Sequence, residues 1–177
     1  MATAATGSAG KAMAYLKAML AAGAVWRSWT GAGSAAAAAT RVYIEALPLP
    51  VDRAEYTPDE LERLRPFALI WPDPSQAFRA VPVGVARTID GGTMMLTIED
   101  GIETGLIDQF EEAITQFRNR IEGVIADLIT AGAGHTAGYL VDPRIETVES
   151  PHRRGAEVEA AQGVFHQATY RVQWGMG

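Results

Sequence analysis

Between Thr104 and Gly132 the apolar residues Ile107, Phe110, Ile114, Phe117, Ile121, Val124 and Leu128 recur at steps of three and four. That is the period of one helix face. Leu106, Ala113, Ile125 and Ile129 widen the stripe, while Asp108, Glu111, Glu112, Gln116, Arg118, Asn119, Glu122 and Asp127 fall opposite. The pattern predicts a helix laid with one face on a core, roughly 40 Å long at about 1.5 Å per residue. Thr104, or Asp100 with Glu103 three residues on, suits its start, and Gly132 and Gly134 suit its end. Gly123 inside it costs about 1 kcal/mol relative to alanine, so packing must hold that turn. No metal-binding or acid–base grouping lies on this helix, which makes it a scaffold.

The rest of the chain supplies shorter patterns. Lys11 to Ala22 reads as a helix with Tyr15, Leu16, Met19 and Leu20 on one face, stopped by Gly23. Val25, Trp26 and Trp29 form a second apolar cluster on a short helical turn. The Gly/Ser stretch and five-alanine run from Gly31 to Thr40 reads as a connection that can hold a helical turn. Arg41 to Glu45 is a short strand. Thr57, Pro58 and Glu60 spell an N-cap, an N1 proline and an N3 glutamate, and Pro66 limits that helix to Pro58–Arg65. Phe67 to Trp71 is a continuous apolar run, a strand buried on both faces. Ala77–Ile89 and Thr93–Glu99 read as two further strands around a turn at Asp90-Gly91-Gly92, with Pro82 marking an edge or bulge. Arg144–Glu149 is another strand. In the last, Ala168, Tyr170, Val172 and Trp174 alternate with Gln167, Thr169, Arg171 and Gln173. Two helices and about six strands, mostly joined as hairpins, give an α+β fold: a mainly antiparallel sheet packed against one long helix and an N-terminal helix. The expected organisation is one domain over residues 1–177 with a flexible arm over about residues 1–10. No internal repeat is visible.

Composition narrows the function classes. The 177 residues are 48% hydrophobic and 20% charged, as suits a globular core. A net charge of −6 argues against a protein gripping nucleic acid over a broad basic surface. With no cysteine, disulfides and thiolate metal sites are excluded. No apolar run reaches the roughly 18 residues of a membrane span, and the N-terminus lacks a signal-peptide pattern, so synthesis in the cytoplasm is expected.

Candidate chemistry is sparse. Gly7 to Lys11 resembles a phosphate-binding loop, but Ala5 stands at its first glycine and Ala12 at its Ser/Thr, with no strand before it. Gly31-Ala32-Gly33 and Gly132-Ala133-Gly134 are half-fingerprints better explained as turns or helix ends. His135, His152 and His166 match no metal spacing, and His166 falls on the Tyr170/Trp174 face as a structural residue. Ser150 and His152 lack a nucleophile elbow. Glu99, Asp100 and Glu103 cluster at a strand-to-helix junction, where metal binding competes with capping. These residues imply no catalytic, cofactor or metal site. The interface candidates are Trp71, at the end of a buried strand, the Asp90-Gly91-Gly92 turn, and the basic group His152-Arg153-Arg154.

The order of elements carries a resemblance. An N-terminal helix leads through Trp26 to the strand Arg41-Val42-Tyr43. A proline-containing link reaches Arg65-Pro66-Phe67-Ala68-Leu69-Ile70, and a hairpin, one long helix and a final strand from Ala168 to Trp174 complete the chain. This resembles the tail terminator (tail completion) proteins of long-tailed bacteriophages. The likeness spans most of the chain, in element order and short strand phrases. It implies a non-enzymatic virion protein, assembled in the host cytoplasm. Its homo-oligomeric ring, typically a hexamer, would cap the tail tube protein, end its polymerisation and meet the head–tail connector or neck. DNA would pass through the channel without specific binding, and no membrane or cofactor is implied. The alternatives are another neck, head-completion or tube component, or a small α+β enzyme using the Glu99/Asp100/Glu103 junction or the His152 loop.

Overall fold

A computed structural model describes residues 8–47, 56–73, 79–83, 87–101, 110–133, 139–142 and 165–176. Its elements are α1 (Ser8–Ala22), α2 (Ala24–Trp29), α3 (Ala35–Ala39), β1 (Val42–Ile44), α4 (Pro58–Leu64), β2 (Phe67–Pro72), β3 (Arg79–Val83), β4 (Arg87–Gly101), α5 (Phe110–Ala133), β5 (Tyr139–Asp142) and β6 (Phe165–Met176). The fold is α+β. One six-stranded sheet runs in the order β1-β2-β4-β6-β5, with β3 paired to β4. β1 is parallel to β2, and the other pairings are antiparallel.

β4 organises the sheet. All of it from Asp90 to Gly101 pairs with β6 along one edge. Along the other edge β2 covers Met94 to Glu99 and β3 covers Arg87 to Gly91, so β2 and β3 lie end to end. Register sorts the side chains by parity. Val42, Ala68, Ile98 and Ala168 form one cross-sheet row on the helix side, and Ile70, Leu96 and Tyr170 form the next. These residues, with Met94 and Val172, are buried against Leu16 and Leu20 of α1, Trp26 of α2, and Phe117, Ile121, Val124 and Leu128 of α5.

Two details of the helix layer come from side chains far apart in sequence. A Cβ at Gly123 would stand 3.0 Å from Val25 Cγ2 and 3.2 Å from Cγ1, so α2 and α5 meet at the mid-helix glycine that propensity disfavours. One turn on, Asp127 Oδ2 accepts the Val25 N–H at 2.9 Å. A carboxylate of α5 thereby satisfies an orphan donor in the first turn of α2. At the sheet's far corner, Arg41 Nη1 donates to the carbonyls of Arg63 and Leu64 at 2.8 and 2.7 Å, holding the last turn of α4. The Thr57 N–H and hydroxyl both donate to Glu60 Oε2, at 2.9 and 3.0 Å, at its start.

Several expectations change. Asp90, Gly91 and Gly92 are not a hairpin turn. They lie inside β4, paired on one side with Met176, Gly175 and Trp174 of β6, and Asp90 and Gly91 pair with Ala80 and Arg79 of β3 on the other. β3 and β4 are instead antiparallel partners as far as Val83 and Arg87. Two-sided ladder pairing outweighs the local turn preference of Asp-Gly, and glycine in a strand is accommodated where backbones approach closely. Ile129 does not widen the buried stripe of α5; it is 49% exposed. α1 starts at Ser8, so residues 8–10 of the expected arm are helical while residues 1–7 lie outside the described residues, and Lys11 of the phosphate-loop-like stretch is an exposed helical residue. The helical turn that the alanine run can hold does form, as the five-residue α3, because Ser34 Oγ accepts the Ala37 N–H at 3.2 Å and Ala38 is buried beneath Trp26. β5 falls at Tyr139–Asp142, ahead of the strand expected at 144–149, which lies outside the described residues. Pro82 sits in β3, an edge strand, as its missing N–H requires.

Candidate functional site

Glu99 and Asp100, for which the sequence leaves metal binding and capping as competing readings, lie at the end of β4, and strand alternation separates them. Glu99 faces away from the helices and pairs with Arg65, whose Nη2 and Nε lie 2.6 and 2.8 Å from Glu99 Oε1. Both side chains are largely buried, at 3% and 12% exposure. Asp100 faces the helices. Its Oδ2 accepts the Trp29 Nε1–H at 2.8 Å and pairs with Arg120 Nη1 at 3.2 Å. The Arg120 guanidinium also lies 5.6 Å from the Trp29 ring centre, within cation–π range. Burial pushes the Asp100 carboxyl above its ordinary value, opposed by the Trp29 hydrogen bond and by Arg120. Adjacent carboxylates on opposite faces cannot share an ion, and each already has a cation. Glu103 lies outside the described residues, and among the described residues no group of three or more acidic, His or Cys side chains could hold a metal.

His166 stands opposite Asp100 in the ladder. It is buried, with its ring 5.2 Å from that of Phe117, and burial lowers its pKa. Phe117 in turn meets Trp29 edge-on at 5.7 Å, and Trp29 meets Trp26 at the same distance. This aromatic wedge fixes the angle of α2 and α5 over the end of the sheet. His166 is therefore the structural residue that its alternation predicts.

The sheet's other face is different. Trp71, Met95 and Arg171 form one cross-strand row, Trp71 opposite Met95 and Met95 opposite Arg171. None of them belongs to the core that α1, α2 and α5 share with the sheet. Trp71 is 38% exposed and the Arg171 side chain 36%. Arg171 Nε lies 2.9 Å from Asp73 Oδ2, which also accepts the Thr93 hydroxyl at 2.8 Å. The buried Asp73 thus anchors the base of the Arg171 head. An aromatic ring, a methionine and an arginine side by side are the residue types enriched in protein interfaces.

Of the sequence-selected interface residues, Trp71 is at this exposed row. Asp90, Gly91 and Gly92 belong to the interior of β4, and His152, Arg153 and Arg154 lie outside the described residues. The structure adds Met95 and Arg171. Both sit at the polar-side parity of strongly alternating strands, but only the ladder register shows that they adjoin Trp71. No described helix is long and apolar enough to cross a membrane. No protein-family model, curated protein or solved structure matches this chain.

Proposed function

We propose that the chain is a structural subunit of a bacteriophage tail, of the tail terminator type. Its homo-oligomeric ring, a hexamer by the resemblance, caps the tail tube, ends tube polymerisation and meets the connector or neck while DNA passes through the channel. The observation that carries the reading is the Trp71–Met95–Arg171 row on a sheet face opposite the helix layer. It is an interface-type surface on a chain whose described carboxylates at the β4 end are held in structural pairs. The element order through α1, Trp26, β1, β2, the β3–β4 hairpin, α5 and β6 supports the same reading. So does the net charge of −6, since a lumen without a strong cationic lining lets phosphates slide. In this reading His152, Arg153 and Arg154 serve a partner contact, where arginine forks pair with carboxylates.

The test is addition of the purified protein to polymerising tail-tube subunits. Tubes that stop growing with a ring at one end are expected. Tubes of unchanged length, with the protein bound only to the connector, would move it to another neck component. Tight, steeply salt-dependent binding of duplex DNA would overturn the passive-channel reading.

A further inference from the structure

We infer that the ring contact is head-to-tail: the Trp71–Met95–Arg171 row of one copy seats on the Glu122–Ala126–Ile129 stripe of α5 in the next. This rests on the ring reading above and names the surfaces that would build it. Trp71 and Ile129 are the large hydrophobic side chains exposed among the described residues, and they lie in opposite layers of the fold. Neither can cover the other within one molecule, but each can cover the other's counterpart in a second copy. Glu122, Ala126 and Ile129 are all exposed and, spaced by four and three, share one flank of α5. The other flank is taken by α2 at Gly123 and Asp127.

The two surfaces match in spacing and charge. Trp71 and Arg171 are two strand spacings apart, about 9.6 Å. Glu122 and Ile129 are separated by seven residues of helix, about 10.5 Å. Setting Trp71 against Ile129 therefore brings Arg171 to Glu122 and Met95 to Ala126, whose small side chain leaves room for the methionine. Asp73, Arg171 and Glu122 would then alternate in sign across the contact. Because the two surfaces differ, the contact is heterologous and each copy uses both, which is the arrangement that closes into rings.

The chain has no cysteine, so introduced thiols report this contact alone. Met95→Cys and Ala126→Cys placed together in the full chain should give a ladder of covalent oligomers on mild oxidation, on a non-reducing gel. Either single variant should give none beyond a dimer. Glu122→Arg, on an exposed helix flank, should keep the circular dichroism spectrum and raise the concentration for half-assembly at least about tenfold. Oligomers that form normally while the thiol pair stays reduced would place the contact elsewhere, such as at the edge strands, and leave the ring reading standing. A monomer at every concentration would overturn both.

Discussion

Gly123→Ala isolates the closest approach in the helix layer. In an open helix this substitution stabilises by about 1 kcal/mol through propensity alone. Here the new methyl would lie 3.0 Å from one Val25 methyl and 3.2 Å from the other, well inside ordinary contact. Val25 is β-branched on a helix, so its χ1 has little freedom to turn away. Overpacking of this kind costs about 1–3 kcal/mol, giving a net change from about zero to 2 kcal/mol destabilising. Val25→Ala removes both offending methyls while keeping the backbone N–H that Asp127 accepts. In that background Gly123→Ala should recover its propensity gain of about 1 kcal/mol. Urea melts of the four proteins, with unchanged m values, give the coupling energy of the cycle, expected at about 1–3 kcal/mol. Equal stabilisation by Gly123→Ala in both backgrounds would show that α2 does not pack on α5 at this residue.

Asp127→Ala should cost about 0.5–2 kcal/mol by leaving the Val25 N–H without its acceptor, and Asp127→Asn should recover part of that in the same melts. Tyr170→Phe should be neutral or stabilising, because the buried hydroxyl has no hydrogen-bond partner among the described residues. Burial, and then Glu122, push the Tyr170 hydroxyl up to about 12. Its contribution to stability is therefore complete below the unfolded value of about 10 and lost as pH rises toward 12, a slope that Tyr170→Phe should remove from alkaline melts. His166 has the opposite sense. Its pKa is lowered by burial, so the unfolded chain takes up the proton first and stability falls as pH drops below about 6.5. His166→Gln should flatten that part of the profile even if it lowers stability throughout.

The elements legible in the sequence are those whose patterns are dense and local. The alternation of β6, the apolar run of β2 and the Thr57-Pro58-Glu60 start of α4 become structure close to their expected bounds, and the three–four stripe of α5 is helical from Phe110, its expected start at Thr104 lying outside the described residues. β2 is not buried on both faces as its apolar run suggests, because Trp71 is 38% exposed on the face away from the helices. What was not legible depends on partners distant in sequence. Asp90-Gly91-Gly92 has the composition of a turn and becomes strand only because β3 and β6 flank it. Asp127 carries the mark of a solvated helix face, yet caps an element 102 residues earlier. Glu99 and Asp100 look like a pair until the pleat divides them. Trp71 could be chosen from its place before Pro72, but Met95 and Arg171 join it only through register.

Whether this chain builds rings is decided by sedimentation velocity on the purified protein, with negative-stain images of the same sample. A concentration-dependent shift from monomer to one closed species several times larger, seen as rings with a central channel, is expected. A single monomeric boundary across the whole concentration range, with no rings on the grid, would contradict it.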